Sequence, residues 1–331
     1  MRKILPFIAV GLFIFVLALL IRGFYKQSDG LTPAADSDVT TQAVIPNRMT
    51  SSPDIEILDR GQEPRSLIEL DLESGREVNA SMGLGLSIKI KVDKSPDRAA
   101  RIPHIDLPVK LKVDRLVGDD SADVIMSFGQ ASMGSEQGAT SGREELAKRL
   151  EIFNGISCRF RLQKNGSAKE MKCKSDANSA EAQQAISQME GSLSTSYVPL
   201  PSEPVGIGAK WRVKKDNVSF GAMMGDSVAD YILTKKDGGA YWLQVATSVD
   251  YKEQPLREMQ SKMPKGFSAK LSSGRSTSTG DVKIDPNSPL TQVHLTSDSK
   301  QEISIDGTQD GSPVSQSLFT EISVQFSIEA R

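Results

Sequence analysis

The side chains that carry most enzymatic and metal chemistry are scarce in this chain. Histidine and cysteine occur twice each in 331 residues, and aromatics make up 5%. A tetrahedral zinc site wants four ligands, and no Gly-x-Ser-x-Gly elbow is present to expose a nucleophile. An excess of one charge is lacking too: 40 basic residues meet 42 acidic ones, and no five Lys or Arg cluster along the sequence. Phosphate neutralisation needs a basic face, so nucleic acid is not an expected partner. Gly83-x-Gly85 falls inside a strand pattern and Gly206-x-Gly208 precedes one, whereas a dinucleotide-binding loop opens a helix. These glycines are read as relieving crowding or permitting sheet curvature. Asp281, Asp285 and Asp306 lack the spacing of a calcium loop. No cofactor and no metal are expected.

Long apolar runs are also missing, with one exception. Ile4–Ile21 is 18 residues without a charged or strongly polar side chain, close to the roughly 20 that cross a ~30 Å hydrocarbon core. A cleaved signal peptide has a shorter apolar stretch and a small-residue cleavage site, and Arg22-Gly23-Phe24-Tyr25-Lys26 offers none. Residues 1–26 are therefore expected to be a retained transmembrane signal anchor that meets the membrane through residues 4–21. The remainder is then a single-pass protein's C-terminal domain, extracytoplasmic in a cell envelope. Residues 27–65, punctuated by Pro33, Pro46, Pro53 and Pro64, read as a disordered tether, with room for a short extended piece at Asp54–Leu58.

From Ser66 onward the dominant period is two. Ile68, Leu70 and Leu72 alternate with polar residues. Met82, Leu84, Leu86, Ile88, Ile90 and Val92 share one face of a long strand, and a helix would scatter them around its axis. Leu107, Val109, Leu111 and Val113 repeat the pattern, and Ala122–Phe128 reads as a further strand. Ser141 and Glu144 have the spacing of a helix capping box, followed by an apolar stripe of Leu146, Leu150 and Phe153. A second helix is expected over Ser179–Leu193, with Ala182, Ile186, Met189 and Leu193 on its apolar side. Strands return at Lys210–Lys214, Ser227–Lys235 and Tyr241–Tyr251, a short helix is expected near Pro255–Lys262, and three long strands close the chain. The expected fold is mainly β with a few helices (α+β). It is a long-stranded antiparallel curved sheet or half-barrel over residues 66–331, covered by two amphipathic helices and open to sub-division near 195–205.

The cysteines fall on a hairpin. Asn165-Gly166 suits a two-residue turn that pairs positions whose numbers sum to 331. Cys158 then lies opposite Cys173, and Phe160 opposite Met171. Directly opposed strand residues bring Cα atoms near disulfide distance, so a Cys158–Cys173 bridge is expected if the domain lies in an oxidising compartment.

The block Pro204-Val205-Gly206-Ile207-Gly208-Ala209-Lys210-Trp211, together with Gly280–Leu290, resembles exported bacterial proteins of unknown function over about residues 140–331. The resemblance implies no catalytic residues. The long-strand pattern is similar, by architecture alone, to the half-barrels of lipoprotein carriers, which shelter an acyl chain.

His104, between Pro103 and nearby Pro108, reads as a loop residue and His294 as an outward strand residue; both are taken as surface imidazoles. Met223, Met224, Met259 and Met263 are candidates for an adaptable apolar pocket, against ordinary core filling. Trp211 and Trp242 read as core anchors. The leading expectation is a non-catalytic binding or structural protein of the envelope, with a lipid or other hydrophobic ligand or an envelope protein as partner. The alternatives are a carboxylate-dependent hydrolase, recognisable by two acids and a histidine in one concave pocket, and a scaffold that binds protein through a sheet edge.

Overall fold

The structure is a computed structural model. It describes residues 54–92, 97–134, 143–176, 182–183, 186, 189–190, 198–220, 223–256, 259, 263, 266–309 and 312–331. The N-terminal meander consists of β2 (Glu77–Val92), β3 (Arg98–Leu116), β4 (Ser121–Phe128), the two-residue β5 (Ser132–Met133), β6 (Ser157–Gln163) and β7 (Ala168–Lys174). The C-terminal meander consists of β8 (Lys210–Phe220), β9 (Met223–Asp237), β10 (Ala240–Tyr251), the short β11 (Gln254–Pro255), β12 (Ser268–Ile284), β13 (Thr291–Gln309) and β14 (Ser312–Ala330). They are joined where the last strand, β14, pairs with β2. With β1 (Asp54–Asp59) added outside β8, one antiparallel sheet runs β1-β8-β9-β10-β12-β13-β14-β2-β3-β4-β6-β7.

The junction shows why the two meanders meet there. Ile322, Val324, Phe326 and Ile328 of β14 stand opposite Ile88, Leu86, Leu84 and Met82 of β2, row against row. A one-residue slip would turn all eight outward. Inward side chains from both meanders form a single buried core, from Leu111, Val124 and Leu162 to Trp211, Tyr231 and Leu243. A sheet whose two halves share one core is curled onto itself, and its long strands, at 17 to 19 residues, extend about 60 Å at ~3.3 Å per residue.

Coil closes the gap between the edge strands. Ser66 and Val205 exchange both backbone bonds at 3.0 and 3.1 Å, Gln62 N–H donates to Ile207 at 2.8 Å, and Leu70 N–H donates to Lys164, beside the β6–β7 turn, at 2.8 Å. Ile68, Leu70 and Leu72 are buried from this seam. Their period of two was legible, yet they form extended coil and not the expected strand.

The expected α+β class is corrected by this architecture: the described residues are nearly all antiparallel strand. The first expected helix is eight residues, α1 (Arg143–Leu150), followed by a 3-10 turn at Glu151–Phe153. Leu146, Leu150 and Phe153 do face the core. Of the second, Ala182, Gln183, Ile186, Met189 and Glu190 are described as helical, and Ala182, Ile186 and Met189 are buried. The others fall outside the described residues. An eight-residue helix, about 12 Å long, cannot form a helical layer over strands about 60 Å long. Pro255, expected to begin a short helix, instead pairs with β12 together with Gln254.

The transmembrane helix, the signal anchor and the single-pass localisation built on them are likewise corrected. No helix among the described residues is long and apolar enough to cross a membrane. Residues 4–21 and the remainder of 1–53 lie outside the described residues. The described sheet also takes in Asp54–Asp59, within the segment read as tether.

Candidate functional site

The inner face is not uniformly apolar. Along the middle of β9–β14, inward positions change from aliphatic to small hydroxyl-bearing residues. Thr247, Ser278 and Ser297 stand in one registered row and Ser276 and Ser299 in the next, with Gln301 opposite Thr320 beyond. All seven, with Ser227, are buried. Ser278 donates to Ser297 at 2.9 Å, and Gln301 Nε2 donates to Ser299 at 3.2 Å. The Tyr251 phenol reaches Ser276 and Ser299, and its burial pushes its pKa up. The hydroxyls of Ser227, Thr247, Thr320 and Tyr231 are buried without a hydrogen-bond partner among the described residues. A buried hydroxyl left unpaired costs about 1–3 kcal/mol, so this belt is a weak zone in an otherwise close-packed interior.

Beyond the belt lies a second apolar cluster. Val218, Met223, Val249, Tyr251, Leu256, Ala269, Leu271 and Ile303 form it, with Met259, Met263, Ile305 and Leu318 packed against them. Three of the four candidate methionines therefore meet at one end of the sheet, although they come from β9 and from the stretch after β11. Met224 instead points outward and is exposed. Methionine adapts its shape at low cost. The belt was missed in the sequence because serine and threonine at alternate strand positions resemble an ordinary solvent face.

The two histidines are dispersed on the outer face. His104 lies within β3, not in a loop, with Nε2 3.5 Å from Asp106. Its ring covers Gly83, where an added Cβ would sit 3.0 Å from Nε2 and 2.6 Å from the Ser327 hydroxyl. His294 contacts Glu329 at 2.8 Å on an exposed surface. An apolar hollow beneath α1 is lined by residues such as Met82, Leu84, Leu150, Phe153 and Phe326. A groove along β1 is lined by Ile55, Ile57, Leu58, Asp59, Arg60, Ser202 and Glu203. Neither gathers a histidine with two carboxylates. Among the described residues no three His, Cys, Asp or Glu side chains converge to hold a metal. Trp242, read as a core anchor, is half-buried on the outer face between Lys235 and Lys283, whose ammonium groups lie 4.9 and 5.5 Å from its ring centre.

Cys158 and Cys173 form a disulfide between directly registered residues of β6 and β7. The path to that register differs from the expected one. The turn holds three residues, with Gln163 N–H donating to Ser167, so Leu162 pairs with Ala168 and Arg161 with Lys169. A bulge at Glu170, whose φ is 55°, then shifts the strand by one and restores Cys158 to Cys173. Two departures of opposite sign cancel. Closing a loop with a sequence separation of 15 stabilises by about 3 kcal/mol. The Cys158→Ala/Cys173→Ala double variant should lose about that much in urea denaturation, and an unchanged midpoint would show that the bridge does not constrain the unfolded chain.

No family model matches the chain, and no curated protein does. Among solved structures, the outer membrane protease OmpT from Escherichia coli is 8% identical over 79% of this chain and 99% of its own, with a TM-score of 0.22. OccK11 (OpdR) from Pseudomonas aeruginosa is 9% identical over 78% of this chain and 98% of its own, with a TM-score of 0.15. At such TM-scores neither likeness carries an argument about fold or function.

Proposed function

We propose that this chain is a non-catalytic binding protein of the cell envelope that takes up a hydrophobic ligand at the methionine-lined end of its curled sheet. The observation that carries this reading is the split interior: an adaptable cluster around Met223, Met259 and Met263 is set apart from the main core by the hydroxyl belt. A ligand's apolar portion would replace side-chain contacts in that cluster. Its neutral polar group, an ester or amide, would accept from the belt, where the row residues carry no charge. The disulfide supports an oxidising compartment, and the 204–211 block supports kinship with exported proteins.

The test is titration of the full-length protein with a fluorescent fatty-acid methyl ester. Saturable one-to-one binding is expected, lost on Met223→Lys. Met263→Lys, at a partly buried position, serves as a second variant should the first fail to fold. No saturable binding, or binding indifferent to both variants, overturns the reading.

A further inference from the structure

The β6–β7 hairpin presents a basic surface. The hairpin from Ser157 to Lys174 contains Arg159, Arg161, Lys164, Lys169, Lys172 and Lys174 against the single acid Glu170, in a chain of net charge −2. Register places Arg159 opposite Lys172, Arg161 opposite Lys169, and Ser157 opposite Lys174. All face outward, because Cys158, Phe160 and Leu162 occupy the buried positions between them. Cations therefore recur about 7 Å apart along each strand and about 5 Å apart across the pair. Lys110 and Lys112 continue the same face through β3.

Like charges directly opposed across strands are destabilising. Elsewhere in the sheet Arg275 faces Lys300 and Asp226 faces Asp250, and opposite charges stand beside both pairs: Glu321 on Lys300, Asp250 on Arg275 and Lys252 on Asp226. Arg212 faces Asp230, Lys214 faces Asp54, Lys300 faces Glu321 and Glu77 faces Lys112. The acids around the hairpin are already engaged. Asp123 takes Arg115 and Arg161, Asp114 takes Arg159, Glu170 takes Arg161, and Glu77 takes Lys110 and Lys112. Burial pushes the Asp123 carboxyl up, but the two guanidiniums outweigh it and hold it below the ordinary carboxylate range. Lys169, Lys172 and Lys174 have no carboxylate in ion-pair range among the described residues. Guarding an edge strand against aggregation with lysine accounts for β7, but not for Arg159 and Arg161 on the interior strand β6.

We propose that the outer face of the β6–β7 hairpin docks the protein onto an anionic lipid surface. A membrane fits better than an acidic polypeptide. Among the described residues the array is an open outward face with neither groove nor aromatic anchor. The neighbouring strand edge, where a peptide would add, is blunted by the bulge at Glu170, and Glu190 accepts the Cys173 N–H there at 2.6 Å. This inference is independent of the ligand reading.

The experiment is co-sedimentation of the full-length protein with vesicles of phosphatidylcholine alone or mixed with phosphatidylglycerol. Apolar residues 4–21 contribute equally to both, so the difference between vesicles isolates charge. Preferential binding to the anionic vesicles should weaken as salt rises. It should fall about a hundredfold in Lys169→Gln/Lys172→Gln/Lys174→Gln. Lys172→Gln/Lys174→Gln, at two exposed positions, gives a smaller loss and guards against misfolding of the triple variant. Equal partition into the two vesicle types, or variants that bind like the parent, overturns the proposal. So does capture of polyglutamate without preference for anionic vesicles.

Discussion

Trp211→Ala should remove about 4 kcal/mol from the stability of the sheet, within the range for truncating a buried tryptophan. The indole is fully buried and lies against Tyr231 with ring centres 5.4 Å apart and planes 12° from parallel. Its Nε1 donates to the Pro199 carbonyl at 3.1 Å. One side chain thus ties β8 to the core and to the coil that closes the seam. Truncation would leave a cavity among Ile57, Tyr231 and the 198–200 stretch, and a buried carbonyl without its donor. Trp211→Phe separates the two contributions: it keeps an aromatic ring against Tyr231 but loses the hydrogen bond, and should cost about 1–3 kcal/mol. Trp242→Ala is the control. That ring is half-buried beneath two lysines on the outer face, so its removal should cost about 1 kcal/mol or less. The measurement is the urea midpoint with the slope checked for constancy. Equal losses for Trp211→Ala and Trp242→Ala would contradict the seam's dependence on this residue.

Those two tryptophans also mark how far the sequence could be read. The period of two in 82–92 and 107–113 was visible because each strand is half-buried, and these strands lie where the alternation places them. Trp242 alternates as regularly as its neighbours, but alternation does not say which face is inside, and two lysines stabilise the outward choice. Strand order was not legible. Nothing in 77–92 announces that its partner is the last strand of the chain, since that pairing depends on matching whole apolar rows. The seam was misread as strand because extended coil that buries every second residue leaves the same trace. The cysteine pair was reached through an assumed register that happened to carry two compensating slips. The hydroxyl belt has no linear signature, because register brings side chains distant in sequence into one row. The basic hairpin does have one, six bases against one acid in residues 157–174, but which of them stand opposite one another follows only from the register.

Gly206→Ala should be at least as damaging as an ordinary overpacking substitution, about 3 kcal/mol or more, although it adds a single methyl group. A Cβ at that position would lie 1.7 Å from the Gln62 carbonyl oxygen and 2.9 Å from its carbon. The obstacle is backbone, not the end of a flexible side chain, so relief requires the 60–66 stretch to move. That movement conflicts with bonds already made on both sides: Gly206 N–H to the Arg60 carbonyl at 2.9 Å, Gln62 N–H to Ile207 at 2.8 Å, and the Ser66–Val205 pair. The methyl group would therefore break the seam locally before it loosened the sheet. Proteolysis should report this as new cleavage within residues 60–72 under conditions where the parent resists, because local opening precedes global unfolding. Gly208→Ala provides the contrast within the same block. Its φ is +86° with nothing within 4 Å of an added Cβ, so the cost should be only the left-handed backbone penalty of about 1–2 kcal/mol. No seam cleavage should appear. If the two variants behave alike, the glycines of the 204–211 block serve backbone conformation in general and not the close approach of Gln62. The seam would then have to be held by its buried aliphatic side chains, Ile68, Leu70 and Leu72, more than by its backbone bonds.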